Sequence, residues 1–342
     1  MRLPECPFYL FGMGDRRKLL YKAGALLDLF TGEVVRQWDT ARDHIFASEY
    51  AVRLRRADGG VVLIVEDEHG LWVEEEGRRT ALAESRLSLP RFEEHSHGAL
   101  LRTLHHDILV SIADGKPVPN ILVYPKPWYR DAAMTCLCLE KTGNLHLVRD
   151  WVLGLRQPFD GNNRCQEPDN LGQGLYLVSL FSDRSHPLVK AIQDTIPQCR
   201  QGDTIVGITD GAEHPVYQTK WLKYGLRRLG LGDPYRVPRV FDSYSALFWM
   251  DYTDEHVDGP PFDEGGKDNY PYLGWAEAHF HRWGPPTALA KHQYPLTWEA
   301  HASQARYEGM RVVCEEYVER SICSPHSWHA AEMLLYLVEG GK

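Results

Sequence analysis

Apolar and β-branched residues alternate or run together over the first part of the chain. Four segments carry this pattern, KLLYKAGALLDL, EVVRQW, EYAVRLRRADGGVVLIVED and LWVEEEGRRTALAES, and the triplets TGE, DGG and EHG separate them. A period of two predicts strands with one buried face. The ADGG between YAVRLRR and VVLIVED is a hairpin signal, because glycine-containing pairs adopt the tight turns that join antiparallel strands. Residues 1–92 are therefore predicted to form a small antiparallel β domain.

From about His95 the apolar residues recur at the spacing of a helix. The segment HGALLRTLHHDILVSIADG carries them three and four residues apart and stops at Gly115, with prolines following. Several later segments are apolar on more than one face, as expected of helices that are packed on both sides. Further helices are predicted at 131–142, 144–155, 171–183, 186–197, 214–229, 241–250, 271–282, 303–319 and 326–338.

The connections between these helices alternate in length. Short links such as TGN and DRSH alternate with long links, rich in Pro, Gly, Asp and Asn, at 114–130, 156–170, 198–213 and 251–270. This alternation predicts helical hairpins closed into a ring, with tight turns on one rim and functional loops on the other. An irregular α-helical bundle is the alternative. The ring would occupy residues 93–342.

Composition narrows the classes of partner and compartment. The net charge of −9 disfavours nucleic acid, whose phosphates attract clustered Lys and Arg. No apolar run reaches the ~20 residues of a membrane span, and the N-terminus has no signal-peptide core, so a cytoplasmic protein without membrane contact is predicted. The seven cysteines form no CxxC pair, and reduced, mostly buried thiols are expected.

The long loops gather the candidate chemistry, because carboxylate, amide and indole side chains recur on each of them. If all long loops end on one rim, these side chains face one another. The candidates are Trp128, Tyr129, Arg130 and Asp131; Asp160, Asn162, Asn163, Arg164, Glu167, Asp169, Asn170 and Gln173; Asp210, Glu213, His214, Tyr217 and Lys220; Asp251; Trp275 and Glu277; Trp298 and Glu299; and His326, Trp328, His329 and Glu332.

Carbohydrate chemistry accounts for this mixture of residues. Asp, Asn, Gln and Arg can bind vicinal hydroxyls in pairs, and Trp or Tyr can cover the C–H face of a sugar. The 10 Trp and 17 Tyr fit that use, although aromatic residues also fill cores. Structural alternatives exist at single positions: Asp131 and Asp169 each stand beside a helix start, where a carboxylate stabilises exposed N–H groups.

Two stretches resemble the six-hairpin glycosidases, the (α/α)6-toroid clan of glucoamylase-like and trehalase-like enzymes. Trp128-Tyr129-Arg130-Asp131 is similar to the W-x-R-D stretch that follows the first helix of that fold. Pro325-His326-Ser327-Trp328-His329-Ala330-Ala331-Glu332 is similar to its closing hairpin. The resemblance implies a mainly α fold, an (α/α)6 toroid carrying an N-terminal antiparallel β domain. It also implies that Asp131 binds sugar hydroxyls, with Arg130 orienting it.

The same resemblance implies catalytic roles and a function. The general acid of the clan points to Glu213, and its base to Glu332, Glu167 or Asp210. The expected activity is inverting hydrolysis of a small soluble oligosaccharide or glycoside by two carboxyl groups ~6.5–9.5 Å apart. The expected substrate-binding residues are Trp128, Tyr129, Arg130, Asp131, Asn162, Asn163, Asp169, Asn170, Gln173, Asp210, His214, Tyr217, Trp275, Glu277, Trp328 and His329.

Two other functions remain open. A polysaccharide lyase on the same toroid would use Asn163, Arg164, His214 and Tyr217, although an acidic rim would repel a uronate polymer. A non-catalytic carbohydrate-binding protein would keep the aromatic residues without a working carboxyl pair. No cofactor and no metal are expected, because the HSH and HFH histidines would face different sides of a helix. The sequence leaves the oligomeric state open.

Overall fold

The computed structural model describes residues 2–242, 244, 274, 294–302 and 304–340. Its N-terminal part forms two antiparallel meanders of four and five strands, each in sequence order. The predicted hairpin at ADGG is confirmed, because the strands on either side of it pair with Arg55 opposite Val61. The strands are β1 Tyr9–Phe11, β2 Leu19–Lys22, β3 Ala25–Asp28, β4 Val34–Gln37, β5 Thr40–Phe46, β6 Ala51–Arg56, β7 Val61–Glu66, β8 Gly70–Glu75 and β9 Arg78–Glu84.

The later chain holds helices joined partly by two-residue strands. The helices are α1 Gly98–Val110, α2 Tyr129–Thr142, α3 Arg149–Leu153, α4 Asp169–Ser179, α5 Pro187–Thr195, α6 Pro215–Arg228, α7 Glu315–Glu319 and α8 Ser327–Gly340. The strands are β10 Ile112–Ala113, β11 Lys116–Pro117, β12 Arg200–Gln201, β13 Thr204–Ile205, β14 Ile208–Thr209, β15 Ala212–Glu213, β16 Glu299–Ala300 and β17 Ile322–Cys323. These strands form two-stranded antiparallel pairs, β10 with β11, β12 with β13, β14 with β15, and β16 with β17. The last pair joins two segments that are far apart in the sequence.

The first sheet is the middle of three layers. Side chains that alternate along β1 and β2 face opposite ways, as a pleated strand requires. Tyr9 and Tyr21 belong to the apolar cluster with the second sheet, where Val52 lies. Leu10 and Leu20 belong to the cluster that contains the helices. Strands β1 and β2 of the first sheet are therefore buried on both faces. The predicted division into domains 1–92 and 93–342 stays a prediction.

The predicted fold class, a mainly α (α/α)6 toroid, is wrong. The structure is mixed α/β, with 36% helix and 23% strand, and its described residues hold fewer helices than a six-hairpin ring requires. The predicted helix 303–319 contains a 3-10 segment, Tyr307–Val312, and the five-residue α7. The loop predicted at 198–213 contains β12–β15. Two-residue strands leave no alternation in a sequence, so periodicity could not reveal them.

Four of the helices pack side by side. Helix α2 lies between α4 and α8, and α4 packs against α6. The contact of α4 with α6 is backbone against backbone, because a Cβ on Gly172 would lie 2.1 Å from the carbonyl carbon of Trp221. On the facing helix, a Cβ on Gly225 would lie 2.5 Å from the carbonyl oxygen of Gly172. Glycine is therefore required at both positions of this crossing.

The cysteines differ from the expectation of reduced thiols. Cys6 and Cys314 form a disulfide, although 308 residues separate them in the chain. Of the others, Cys165 is exposed and the remaining four are buried thiols. Within the described residues, no helix is both long and apolar enough to cross a membrane. The predicted helices at 241–250 and 271–282 lie almost wholly outside the described residues.

Candidate functional site

The N-terminal ends of α2, α4, α6 and α8 lie together. Arg130, in the first turn of α2, donates from Nη1 to Oδ2 of Asp169 at the start of α4, across 3.1 Å. Its guanidinium carbon also lies 5.6 Å from the ring centre of Trp328, in the first turn of α8. Nε2 of Gln173, in α4, lies 3.5 Å from the hydroxyl oxygen of Tyr217, in α6. The residues that the sequence placed on separate loops therefore meet at one end of the helices.

Arg130 is the central residue of this end. It is 2% exposed, and its guanidinium contacts three carboxylates. Besides Asp169, it donates from Nη2 to Oδ1 of Asp210 across 2.9 Å, and Nη1 lies 3.8 Å from Oε1 of Glu167. Burial alone would lower the pKa of Arg130, but the three carboxylates raise it well above its ordinary value. The guanidinium is therefore charged, and it holds three acidic groups that would otherwise repel one another.

Two of these carboxylates have different surroundings. Asp169 is fully buried and accepts hydrogen bonds from Oγ1 of Thr209 and Nε2 of Gln173, each at 2.9 Å. Asp210 is more open, with its side chain 28% exposed, and its Oδ2 accepts from the hydroxyl of Tyr244 at 3.0 Å. Asp169 thus serves as an internal anchor for Arg130, whereas Asp210 can also be reached from solvent.

Glu167 is the third carboxyl group, and its pKa is raised. Burial raises it to about 7, against the opposing attraction of Arg130. Its Oε1 accepts from the amide of Asn163 at 2.9 Å and from the backbone N–H of Asp210 at 2.8 Å. All the hydrogen bonds described for Glu167 use Oε1. Near neutral pH this group can therefore exist in both protonation states, as a proton donor or acceptor must.

Asn163 joins Glu167 to Asp210. Its Nδ2 donates to Oε1 of Glu167 and, at 2.7 Å, to Oδ1 of Asp210. Since one nitrogen contacts both oxygens, at 2.9 and 2.7 Å, these two oxygen atoms lie no more than about 5.6 Å apart, below the ~6.5–9.5 Å of an inverting pair. This spacing is instead compatible with the ~5–5.5 Å of a retaining pair.

Asp131 belongs to a second group of residues, with His326 and Glu299, beside the acidic group around Arg130. It is 4% exposed, and burial raises its pKa to about 7, while His326 and Arg130 lower it. Nε2 of His326 lies 3.0 Å from Oε2 of Glu299. Burial would lower the pKa of His326, but Glu299 raises it above its ordinary value.

Aromatic rings surround this second group. The ring of Tyr124 lies 6.1 Å from that of Trp128 and 6.0 Å from that of His326, both edge-on. Trp128 and Trp298 are half-buried, and Trp328 is buried. Aromatic and acidic side chains of the predicted set therefore lie together around His326 and His329.

Several other predicted binding residues brace the site internally. Asn162 donates to the carbonyl of Pro127 at 2.8 Å, and Asn170 donates to Oε1 of Gln173 at 3.2 Å. The hydroxyl of Tyr129 donates to the carbonyl of Gln157 at 2.8 Å. These contacts hold the loop before α4 against the start of α2, so they shape the site through the backbone.

His214 and Tyr217 lie at the start of α6 beside residues that the sequence left without a role. Nδ1 of His214 is 2.8 Å from Oδ1 of Asp242, whose Oδ2 accepts from the backbone N–H of Tyr217 at 3.1 Å. The ring of Tyr244 stacks on His214 with centres 3.8 Å apart. Both Asp242 and Tyr244 fall within the helix predicted at 241–250, and its apolar spacing gave no reason to assign either of them to the site.

Two of the three predicted catalytic residues lie away from the acidic group around Arg130. Glu213 is exposed on β15, and its carboxylate makes no hydrogen bond or ion pair with the described residues. Glu332 is buried within α8, and neither of its oxygens has a hydrogen-bond partner in the described part of the chain. Trp275 and Glu277 lie outside the described residues.

One trio of side chains has the composition of a metal site, although the sequence predicted none. Glu299, His326 and His329 each offer one ligand atom, and these atoms lie within 4.8 Å of one another. In comparisons with known proteins, no family model matches this chain, and neither a curated protein nor a solved structure matches it.

Proposed function

We propose that the protein is a glycoside hydrolase in which Glu167 and Asp210 form the working pair of carboxyl groups. The observation that carries this proposal is the bridge from Asn163, which holds both groups beside Arg130 at the open end of the helices. Of the predicted catalytic residues, Glu167 keeps a role, and Asp210 takes the place of Glu213 and Glu332.

The carboxyl groups of Glu167 and Asp210 suit different roles in the reaction. Glu167 has a pKa of about 7 because it is buried, so a large fraction is protonated at neutral pH. Asp210 contacts the guanidinium of Arg130 through Oδ1 and remains open to solvent. A buried carboxyl group that retains its proton near neutral pH, beside a second carboxyl group that a substrate can reach, is the pair that glycoside hydrolysis requires.

The short spacing favours retention of configuration. Glu167 would protonate the glycosidic oxygen while an oxygen of Asp210 attacks the anomeric carbon and forms a glycosyl ester. The ionised Glu167 would then take a proton from water, whose oxygen attacks the same carbon and releases Asp210. The bonds and protons balance over the two steps, and the proposed outcome differs from the inverting one expected from the sequence.

The second group of residues would bind the sugar. Asp131 lies near His326, and the ring of Tyr124 stands edge-on to both His326 and Trp128. Rings that can cover a sugar face are thus close to a carboxyl group that can contact hydroxyls. A uronate substrate, as in the lyase alternative, would meet three carboxylates around a single guanidinium and be repelled. A neutral saccharide is therefore the proposed substrate class.

The compartment is a separate proposal. The sequence predicts the cytoplasm, whereas disulfides persist mainly in oxidising compartments. The Cys6–Cys314 disulfide favours the second alternative. Thiol labelling of the protein as isolated from its native cells would distinguish the two.

The test is a screen of the full chain against p-nitrophenyl α- and β-glycosides and unsubstituted disaccharides. Glu167→Gln and Asp210→Asn should each lower kcat by ~100-fold or more, while the exposed Glu319→Gln should match the parent. Proton NMR of the first product formed should show the substrate anomer. Sugar binding by calorimetry without any turnover would replace the hydrolase with a carbohydrate-binding protein.

A further inference from the structure

Glu299, His326 and His329 form a compact trio of nitrogen and oxygen ligands. Their ligand atoms lie within 4.8 Å of one another, and Nε2 of His326 is 3.0 Å from Oε2 of Glu299. The two imidazole rings stack with centres 4.3 Å apart. Two ligand atoms of a tetrahedral zinc ion lie roughly 3.3 Å apart. The trio is therefore within a small side-chain adjustment of a coordination site.

The backbone fixes Glu299 relative to the histidines. Strands β16 and β17 pair with Glu299 opposite Cys323, three residues before His326. The hydroxyl of Ser324 donates to the carbonyl of Thr297 at 2.5 Å, and the N–H of His326 donates to Oγ1 of Thr297 at 3.0 Å. The segment before Glu299 is thus bound directly to the segment that carries His326.

The start of α8 is anchored from the other side as well. Nδ2 of Asn120 donates to the carbonyl of Pro325 at 2.6 Å, and the hydroxyl of Ser327 donates to the carbonyl of Val118 at 2.9 Å. His326 immediately precedes α8, where its carbonyl accepts from the N–H of Ala330 at 3.0 Å, and His329 lies in the first turn of that helix. The positions of the ligands are therefore set before any ion binds, as a selective metal site requires.

The tautomer of His329 is set by a backbone carbonyl. Its Nδ1 lies 2.7 Å from the carbonyl oxygen of Trp298, the residue before Glu299. A carbonyl oxygen only accepts, so Nδ1 carries the proton and Nε2 carries the lone pair. Donation of the second ring N–H to a carbonyl or carboxylate is the usual support of a metal-ligating histidine.

We propose that Glu299, His326 and His329 bind a divalent transition-metal ion of the zinc type. Two imidazoles and one carboxylate are a ligand set of catalytic zinc, which leaves a coordination position for water or a substrate oxygen. Imidazole selects zinc-type ions over magnesium and calcium, which prefer oxygen ligands.

This site is independent of the proposed hydrolase. The Glu167–Asp210 pair uses no residue of the trio, and the trio needs no turnover to be detected. Binding of the metal alone is therefore the measurement. Failure to bind metal would leave the hydrolase proposal intact, and failure of hydrolysis would leave the metal site intact.

The experiment uses the full chain after removal of metals with EDTA and dialysis at pH 7.5. Titration with Zn2+ by calorimetry should give one site per chain, and Co2+ should give the visible absorption of a tetrahedral nitrogen–oxygen site. Glu299→Gln and His329→Gln should each weaken Zn2+ binding by ~100-fold or more. The exposed His69→Ala is the matched control and should bind as the parent does.

Two results would overturn the proposal: no stoichiometric binding of either ion, or equal affinity in the parent and in Glu299→Gln. Glu299 is only half-buried at the end of a short strand, so its glutamine variant should fold, as circular dichroism can verify. The Glu299→Gln variant therefore tests metal binding by the trio even if His329→Gln does not fold.

Discussion

Nη2 of Arg130 lies 2.9 Å from Oδ1 of Asp210, across the gap between the first turn of α2 and the turn that joins β14 to β15. The same guanidinium holds Asp169 of α4 through Nη1. One side chain therefore connects two helices and a hairpin, and it does so through carboxylates that would repel one another without it. The consequences of removing it follow from that arrangement.

Arg130→Met should destabilise the protein by ~3–5 kcal/mol at pH 8, because it leaves a buried carboxylate at Asp169 without its counter-charge. The loss should be smaller at pH 5, because Glu167, whose burial raises its pKa to about 7, is then protonated. Urea unfolding at the two pH values measures both quantities. Lys190→Met breaks an exposed ion pair with Asp194 and should cost less than ~1 kcal/mol. Equal stability of parent and Arg130→Met at pH 8 would contradict the role of Arg130.

Glu167→Gln should lower kcat by ~100-fold or more, whereas Glu213→Gln should change it by less than about threefold. The reason is burial: Glu167 is enclosed and its pKa is about 7, whereas Glu213 is exposed on β15. In the parent, kcat/KM should fall as the pH rises through about 7, because Glu167 then loses the proton it donates. A larger loss in Glu213→Gln than in Glu167→Gln would restore the assignment made from the sequence.

The misplacement of Glu213 has a local structural cause. Asp210 and Gly211 adopt positive φ values of 49° and 85°, and Thr209 pairs with Ala212 across the turn. Asp-Gly is the usual sequence of such a two-residue hairpin turn. The sequence predicts a long loop at 198–213 and does not predict the reversal that leaves Glu213 exposed on β15. The Asp-Gly pair is a turn signal, but the acidic residues around it favoured a functional loop.

The sequence predicted some features well and others poorly, for physical reasons. The β meander was predictable because β6 and β7 alternate over six residues on each side of a turn signal. The start of α2 at Trp128–Asp131 was predictable because aromatic and charged residues interrupt the apolar pattern there. The toroid was not, because periodicity reports single helices and does not report how many close a ring. Asp242 and Tyr244 required the tertiary structure.

Gly172→Ala should destabilise the protein by ~3 kcal/mol or more, because the added methyl group would overlap the backbone of α6 at Trp221. Helix propensity alone would favour alanine by ~1 kcal/mol, so the sign of the change tests the close packing directly. Gly232→Ala is the matched control, since nothing lies within 4 Å of its added Cβ. Thermal unfolding of both variants measures the difference, and a stabilised Gly172→Ala would exclude backbone contact between α4 and α6.

Glu332 provides the last prediction, because a buried carboxyl group without a hydrogen-bond partner among the described residues should cost stability. Burial raises the pKa of Glu332 well above its ordinary value. The folded state therefore retains a proton that the unfolded state releases above its pKa of ~4.3, so stability should fall as the pH rises beyond that value. Glu332→Met keeps the length of the side chain and removes the ionisable group.

We expect Glu332→Met to be more stable than the parent by ~1–3 kcal/mol at pH 8 and by less than ~1 kcal/mol at pH 4. Urea unfolding at both pH values measures the change, and Glu319→Met, on the exposed end of α7, should show no such pH dependence. Kinetics on Glu332→Met distinguish a structural role of Glu332 from a catalytic one. A more stable protein that retains its kcat identifies a structural residue, because a catalytic base could not be replaced by methionine. A variant that folds but loses kcat would make Glu332 the base expected from the sequence, and would contradict the proposed pairing of Glu167 with Asp210.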